Sequence, residues 1–175
     1  GFIDKYIGDA IMALFEKKSS DAIDSALTMF DKLEELNKIS NNKIEIGIGI
    51  HTGRLMLGII GEDKRYNGTV ISDDVNLASR LEGLTKYYGA KIIVSELSLM
   101  KSSDITKYKY RMLDLVKVKG KNKPITIFEI FTDTKDRVEE MKFETKDQYE
   151  YAFSKFMTAK FNECIEILET LINKN

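Results

Sequence analysis

The chain has 175 residues, of which 27 are basic and 28 acidic, so its formal net charge is −1. This balance argues against a nucleic-acid-binding protein that depends on a general basic surface. The single cysteine, Cys164, excludes an intrachain disulfide framework and fits a reducing compartment. No apolar run approaches the roughly 20 residues of a membrane span, and no signal peptide is visible.

The first predicted elements are the two strands of a β-hairpin. Apolar runs at residues 2–7 and 10–15 flank Gly8-Asp9, a pair typical of a tight turn. Judged in isolation, Asp9 is more often a turn residue than a metal ligand, although a carboxylate at a hairpin tip is rigidly held and exposed.

A helix and an unusual strand follow the hairpin. Ser19-Ser20 offers an N-cap, and apolar residues at helical spacing predict a helix to about Lys38. Between residues 44 and 50, isoleucines alternate with Glu45, Gly47 and Gly49. Because the second face of this strand is nearly bare, we expect another element to pack closely against it.

The central part of the chain is predicted to lead into a second helix. A second strand precedes a polar loop at residues 61–64, and residues 69–71 are strand-like. Asp73 or Asp74 can cap a helix that runs to about Tyr88.

Asn76 and Arg80 are the candidate ligand-binding residues on this helix. They lie four residues apart and therefore share a face, away from the apolar stripe that includes Leu77 and Leu81. Arg80 can meet a phosphate with a fixed fork of donors, and Asn76 can orient a sugar or phosphate oxygen. On spacing alone, a solvated helix face is the more common explanation.

Three more strands are predicted beyond the helix. Gly89 stops the helix, residues 91–95 form a strand of the buried type, and residues 107–118 form a long strand that pairs with 124–131. With a short helix after residue 95, this order of elements predicts an α/β (α+β) fold.

A basic connection and a lone histidine are further candidates. Lys117, Lys119, Lys121 and Lys123 alternate between the last two strands, where an anion-binding loop and a solvated basic hairpin are equally favoured. His51 is interpreted as structural, because no second His or Cys lies nearby to complete a metal site. The chain contains neither a P-loop nor a Gly-x-Ser-x-Gly elbow.

The character of the chain changes after residue 131. Charged residues dominate residues 132–142, as in a linker or an exposed helix, and Thr145 and Gln148 make a possible capping box. Two amphipathic helices are then predicted, at about residues 149–156 and 161–171. Their spacing resembles a tetratricopeptide-type helix pair, a surface suited to a protein partner.

Four segments together resemble the catalytic domain of the class III nucleotidyl cyclases. The order and spacing of the segments agree with that family, and the resemblance covers residues 2–131. It implies a ferredoxin-like α/β fold and favours the functional interpretation of Asp9, Asn76 and Arg80. The four segments are residues 2–15 (FIDKYIGDAIMALF), 46–53 (IGIGIHTG), 65–82 with its helix start VNLASRLE, and 118–121 (VKGK).

The resemblance implies conversion of a nucleoside triphosphate to a 3′,5′-cyclic monophosphate and pyrophosphate with two Mg²⁺ or Mn²⁺ ions. Asp9 aligns with one of two metal-bridging carboxylates. Lys5 and Thr69 align with the pair that reads the purine, and a Lys with Thr there implies adenine, whereas guanine-specific relatives carry Glu and Cys-like residues.

Three further alignments implied by the resemblance concern the sugar and the phosphates. Asn76 is expected to orient the ribose, Arg80 to stabilise charge on the phosphate in the transition state, and Lys119 to hold the terminal phosphates.

Two departures from the family pattern affect these expectations. Ser72 stands where the family usually has glycine, just before the second helix. The Phe-x-Asp-Ile-x-Gly-Phe strand that carries the family's first metal aspartate is absent. We therefore expect a domain without the family's first strand and first two helices, inactive as a 175-residue fragment.

The sequence thus predicts an adenylate cyclase that acts on ATP in signal transduction. Residues 1–131 are assigned to an N-terminally truncated catalytic domain and residues 132–175 to a helical linker and the start of a helical region. The family works as a head-to-tail homodimer with shared active sites, and the domain is expected to be cytoplasmic whether or not upstream segments attach the parent to a membrane. The alternatives are a non-catalytic cyclase-homology module for dimerisation or regulation, and a guanylate cyclase.

Overall fold

The computed structural model describes residues 1–62, 65–117, 124–133 and 136–173. Its elements, in chain order, are β1 (Phe2–Ile7), β2 (Ala10–Leu14), α1 (Ser19–Ile39), β3 (Ile48–Ile50), β4 (Met56–Glu62), β5 (Arg65–Ile71), α2 (Asp73–Tyr88), β6 (Ile92–Ser95), α3 (Glu96–Met100), β7 (Tyr110–Val116), β8 (Ile125–Ile130), α4 (Arg137–Glu144), α5 (Lys146–Met157) and α6 (Phe161–Asn173).

The strands form one four-stranded sheet and two separate hairpins. The sheet has the order β3-β6-β8-β7, in which β3 runs parallel to β6 and the other neighbours are antiparallel. Strands β1 and β2 pair with each other, as do β4 and β5, and each pair is a two-stranded sheet of its own among the described residues. The hairpin predicted around Gly8-Asp9 is confirmed.

Helices α1 and α2 cover opposite faces of the four-stranded sheet. Alternate residues of β6 enter different apolar clusters, since Ile92 and Val94 pack with α1 whereas Ile93 packs with α2, as the two-residue period of a strand requires. All four residues of β6 are buried, which confirms the strand of the buried type. Other buried members include Ile23, Phe30 and Ile130 on the α1 side, and Leu77, Leu81, Leu113 and Ile127 on the α2 side.

Helix α2 packs on the face of β3 that lacks side chains, as the glycines at positions 47 and 49 predicted. A Cβ built on Gly49 would overlap the backbone of Ala78 and Glu82, and one built on Gly47 would overlap the side chain of Thr85. The helix backbone therefore lies directly on the strand, and glycine is required there by the close approach.

Two predicted helix caps are wrong. The N-cap of α1 is Lys18, without a side-chain hydrogen bond, because the Ser19 hydroxyl donates instead to the carbonyl of Ser98 at 2.7 Å. The N-cap of α2 is Ser72 rather than an aspartate, and its hydroxyl accepts from the amide of Asp74 at 3.0 Å.

Other boundaries also differ from the predictions. Only Ile48–Ile50 pair as a strand in the isoleucine-glycine segment. Strand β7 begins at Tyr110, because a 3-10 turn over Ile105–Lys107 precedes it. Thr145 is the N-cap of α5 but forms no capping box, since its hydroxyl donates back to the carbonyl of Met141 at 2.7 Å.

Helices α4 and α5 pack onto the sheet through buried charges. Glu129 of β8 is fully buried and accepts hydrogen bonds from Arg111 of β7 at 2.8 Å and from Lys142 of α4 at 3.0 Å. The Arg111 guanidinium also lies 4.6 Å from the ring centroid of Tyr149 in α5. The charged segment after residue 131 thus includes a helix that is attached to the sheet.

Within the described ranges, none of the helices is both long and apolar enough to span a membrane.

Candidate active site

The β1–β2 hairpin places Asp9 at an exposed tip. Gly8 has φ +62°, a left-handed conformation that glycine adopts without steric cost, and this makes the turn tight enough to hold the next residue outward. The Asp9 carboxylate makes no hydrogen bond or ion pair with the described part of the chain. It is therefore free to bind a cation or another ligand.

Lys5 lies in the same hairpin beside an irregularity of the strand. The pairing register shifts between Ile3 and Lys5, so that Asp4 bulges from the ladder, and a bulge of this kind re-aims the neighbouring side chains. The Lys5 ammonium is 3.3 Å from one carboxylate oxygen of Asp4, and the Lys5 side chain is 34% exposed. The same oxygen of Asp4 is buried and accepts no hydrogen bond, so its contact with Lys5 is electrostatic.

Helix α2 presents Asn76 and Arg80 on its outer face. Both residues are exposed, while Leu77 and Leu81 on the opposite side are fully buried. Within the described ranges, neither the Asn76 amide nor the Arg80 guanidinium has a hydrogen-bond or ion-pair partner. The helix thus offers an amide and a cation, one turn apart, to an anionic or hydroxyl-bearing ligand.

The first turn of α2 is held by the segment that follows β3. One carboxylate oxygen of Asp74 accepts from the backbone amide of Arg54 at 2.9 Å, and the Ser72 hydroxyl donates to the Arg54 carbonyl at 2.7 Å. A Cβ on Gly53 would overlap the Asp74 carboxylate, so glycine is needed for this approach. Ser72, the departure from the family pattern, therefore supplies both the helix cap and a tie to residue 54.

The C-terminal end of α2 is held by the sheet and by α4. The Tyr88 hydroxyl donates to an Asp114 carboxylate oxygen of β7 at 2.5 Å, and burial together with this hydrogen bond raises the pKa of Tyr88. Gly89, the left-handed C-cap predicted to stop the helix, offers its carbonyl to the Lys142 ammonium. Because both ends are tied down, the outer face of α2 is a rigid platform.

The remaining predicted residues lie on other parts of the chain. Thr69 belongs to β5, where it pairs with Gly58 of β4. Lys119 lies outside the described residues. The structure thus puts Asn76 and Arg80 together on one helix and Lys5 and Asp9 together on one hairpin, but no hydrogen bond or ion pair among the described residues joins the two groups.

Asp9 is the candidate metal ligand among these residues. A carboxylate at a tight turn is the oxygen ligand that Mg²⁺ and Mn²⁺ prefer, and Asp9 meets this requirement. Among the described residues no three His, Cys, Asp or Glu side chains cluster so as to hold a metal. Asp9 therefore fits one ligand position but does not complete a site.

Sequence reasoning missed a chain of polar contacts behind α2. His51 bridges Ser95 of β6 through Nδ1 and Asp74 of α2 through Nε2, which is the reverse of the ring nitrogens used in a Ser-His-Asp triad. Ser95 is also fully buried, so no substrate can reach its hydroxyl. The sequence offered one signal for these contacts. His51 is a lone histidine at the end of β3, and the glycine face of that strand predicted a closely packed neighbour.

A cavity of about 350 Å³ lies away from these residues, against α4 and the chain after β8. It is lined by Lys109, Phe131, Thr132, Asp133, Glu139, Glu140, Phe143 and Glu144. Carboxylates dominate this lining, which makes the cavity a poor site for a triphosphate.

Comparison with known proteins gives the family. Residues 5–130 match the model of the adenylate and guanylate cyclase catalytic domain family. The chain belongs to this family. The match contains most of the β1–β2 hairpin together with α2 and the four-stranded sheet, so the predicted family and its α/β fold are confirmed.

Two curated relatives are named adenylate cyclases. A protein of Anabaena cylindrica is 44% identical over 140 residues, which are 74% of this chain and 28% of the relative. The terminal-differentiation-specific adenylate cyclase of Dictyostelium discoideum is 30% identical over 177 residues, 97% of this chain and 8% of the relative. The chain thus spans less than a third of the length of either relative.

A solved structure has the same fold. The crystal structure of the guanylyl cyclase Cya2 superposes with a TM-score of 0.61 at 27% identity, over 78% of this chain and 73% of that protein. The family therefore includes similar proteins named for each purine, and the choice between ATP and GTP depends on individual residues.

Proposed function

We propose that the chain is the catalytic core of an adenylate cyclase, which converts ATP to 3′,5′-cyclic AMP and pyrophosphate. The observation that carries this proposal is the outer face of α2, where Asn76 and Arg80 are exposed, unpaired in the described structure and mounted on a helix that is anchored at both ends. Groups held in this way bind a ligand without first breaking an internal contact or reorganising. The 44% identity to a protein named adenylate cyclase supports the same conclusion.

Arg80 and Asn76 act on the phosphate and the sugar. During in-line attack of the 3′-oxygen on the α-phosphorus, negative charge builds on the phosphate oxygens, and a preorganised guanidinium stabilises this charge more in the transition state than in the ground state. Asn76 holds the ribose so that the 3′-oxygen faces the phosphorus. Lys119 neutralises the terminal phosphates of the leaving pyrophosphate.

Lys5 and Thr69 select the base. A lysine ammonium can donate to N1 of adenine, and a threonine hydroxyl can accept from the 6-amino group. Guanine presents a donor at N1 and an acceptor at position 6, so the same pair would leave mismatched groups facing each other. Guanylate cyclase is the second candidate function, because Cya2, a protein named a guanylyl cyclase, has the same fold.

Asp9 provides one of the carboxylates for the metal ions. Bound Mg²⁺ or Mn²⁺ would lower the pKa of the 3′-hydroxyl and neutralise charge on the leaving group. The 175 residues contain no Phe-x-Asp-Ile-x-Gly-Phe strand with a second such carboxylate. Because one carboxylate cannot hold two ions, this stretch of chain alone is expected to be inactive.

The proposed assembly is a homodimer with shared active sites. One subunit supplies the metal carboxylates and the other supplies the base-, ribose- and phosphate-binding side chains. Residues 1–131 form the catalytic domain, and residues 132–175 form a helical region for a protein partner. The domain acts in the cytoplasm in signal transduction.

The proposal is tested with the full-length protein, ATP or GTP, and Mg²⁺ or Mn²⁺, with the products separated by chromatography. Cyclic AMP is the expected main product, and Arg80→Ala is the control for the site. Formation of cyclic GMP in preference would assign a guanylate cyclase. Nucleotide binding without any cyclic product would assign a non-catalytic regulatory module.

A mixing experiment tests the division of roles. Residues 1–175 alone should give no product, and neither should full-length Arg80→Ala at a comparable level. Mixed, they should form one composite site, with metal carboxylates from the mutant and Arg80 from the shorter chain, so activity should rise with the concentration of both. Sizing that detects the mixed dimer without any product would contradict the division of roles.

A further inference from the structure

His51 lies where three elements meet. It follows β3 directly, and its side chain is only 5% exposed. Its Nδ1 is 2.7 Å from the hydroxyl of Ser95, the last residue of β6, and its Nε2 is 3.3 Å from a carboxylate oxygen of Asp74 in the first turn of α2. The imidazole therefore ties the first turn of the helix to the end of the central strand.

The two partners of His51 are themselves fixed. The Asp74 carboxylate also binds the Arg54 amide, and its backbone amide donates to the Ser72 cap. Ser95 lies 3.1 Å from the Ser98 hydroxyl, which in turn accepts from Thr52 at 3.0 Å. The contact with Asp74 thus links this hydroxyl network to the helix.

The first turn of α2 controls where Asn76 and Arg80 lie. They follow Asp74 by two and six residues, which is about 3 and 9 Å along the helix axis. A helix moves as a rigid unit over this length, so a shift at Asp74 is passed to both side chains. Misplacement of a reacting group by about 1 Å can cost on the order of 100-fold in rate.

We propose that His51 is a positioning residue that holds the first turn of α2, through Asp74, in the place that Asn76 and Arg80 require. The inference rests on the proposed function only for its kinetic consequence. The Asp74 carboxylate accepts a hydrogen bond from Nε2–H, and Nδ1 accepts one from the Ser95 hydroxyl. This arrangement requires a single tautomer of the ring.

Two nearly isosteric variants separate the contacts of His51. In Gln the terminal amide reaches the position of Nε2, so His51→Gln keeps a donor for Asp74. In Asn the amide reaches the position of Nδ1, so His51→Asn keeps a partner for Ser95 and loses Asp74. A residue that merely fills the core would tolerate both variants to a similar degree, whereas a positioning residue acting through Asp74 tolerates only Gln.

The kinetic test uses the full-length protein with ATP. We expect His51→Asn to lower kcat by roughly 10- to 100-fold with KM changed less than about threefold, and His51→Gln to stay within about threefold of the wild type. In an Asn76→Ala/Arg80→Ala background, His51→Asn should add less than about threefold, because both groups that it positions are already gone. Equal losses in Gln and Asn, or a full additional loss in the Asn76→Ala/Arg80→Ala background, would overturn the proposal.

A second measurement does not need activity. Since His51 is the only histidine in the chain, the ring nitrogens of [15N]-histidine give one unambiguous pair of NMR signals. They should report the Nε2–H tautomer in the wild type and change in Asp74→Asn. Amide hydrogen exchange in the first turn of α2 should speed up in His51→Asn and not in His51→Gln.

The two measurements separate the two hypotheses. If Arg80→Ala is without kinetic effect, the proposed function fails, and the tautomer and exchange data alone judge the tie between His51 and α2. If Arg80→Ala is impaired but the first turn of α2 exchanges equally in both His51 variants, the positioning role is wrong and the proposed function stands.

Discussion

Lys5 and Thr69 are the residues on which the choice of purine depends in the proposed site. If they read the base edge, Lys5→Glu with Thr69→Cys should lower ATP turnover and raise GTP turnover relative to it, because donors and acceptors are exchanged. Competing-substrate assays with both nucleotides measure this ratio.

Lys17→Glu is the matched control for this swap, because it makes the same charge change at an exposed lysine beyond the hairpin. It should leave the ratio unchanged. An undiminished preference for ATP in the Lys5/Thr69 double variant would show that the base is read elsewhere.

Arg80 is expected to act mainly in the transition state. Arg80→Ala should then lower kcat by on the order of 100-fold with little change in KM, as for loss of one preorganised donor. Lys86→Ala removes another exposed cation from the same helix and should have kinetics close to wild type. A large rise in KM at unchanged kcat would mean that Arg80 only anchors the substrate.

At the scale of elements, the contact between β3 and α2 is set by glycine. Gly49→Ala would push a methyl group into the helix backbone, which cannot move aside as a side chain could, and overpacking of this kind costs about 1–3 kcal/mol. Urea denaturation should therefore show a lower free energy of unfolding.

Gly83→Ala is the matched control within α2, since nothing lies within 4 Å of a Cβ built there. Alanine in a helix interior is favoured over glycine by roughly 0.5–1 kcal/mol, so this variant should be as stable as the wild type or more stable. If Gly49→Ala were as stable as Gly83→Ala, the helix would not lie directly on the strand.

The local sequence pattern predicts the helices and strands better than it predicts the helix caps. The helix over residues 19–39 and the strand at 92–95 follow from periodicity, because apolar spacing directly reflects which face is buried. The cap of α1 and the capping box at Thr145 were mispredicted because the Ser19 and Thr145 hydroxyls donate to other carbonyls. A side chain with several possible acceptors takes the one that packing brings nearest.

At the scale of the whole molecule, buried charges attach α4 and α5 to the sheet. Glu129→Gln would leave Arg111 and Lys142 without their shared carboxylate, and loss of one partner of a buried pair costs about 3–5 kcal/mol. Denaturant titration should show this loss, together with faster proteolysis in α4 and α5.

Glu140→Gln is the comparison for this variant. In the wild type, a Glu140 carboxylate oxygen lies 3.5 Å from the Arg137 guanidinium, and the side chains are 55% exposed for Glu140 and 72% exposed for Arg137. Exposed pairs contribute at most about 1 kcal/mol, so the free energy of unfolding should hardly change. Equal effects of the two variants would mean that the Glu129 network does not hold the helices.

Motif and spacing were sufficient to predict the family, most of the order of the elements and the face on which Asn76 and Arg80 lie. They missed the full length of β5, of which only residues 69–71 were predicted as strand-like. The shared face is a local property, since a helix of 3.6 residues per turn puts positions four apart together in any fold. The glycines in β3 and just before it likewise predicted a closely packed neighbour. Gly47 and Gly49 carry that information in their own lack of side chains.

The tie among His51, Asp74 and Ser95 depended on the folded chain. The two contacts of His51 span 23 and 44 positions in sequence, and no repeat or spacing relates residues so far apart. They meet because α2 settles on the glycine face of β3 while β6 pairs with the edge of that strand. These two contacts give the His51 imidazole at the end of β3 a carboxylate on one side and a hydroxyl on the other.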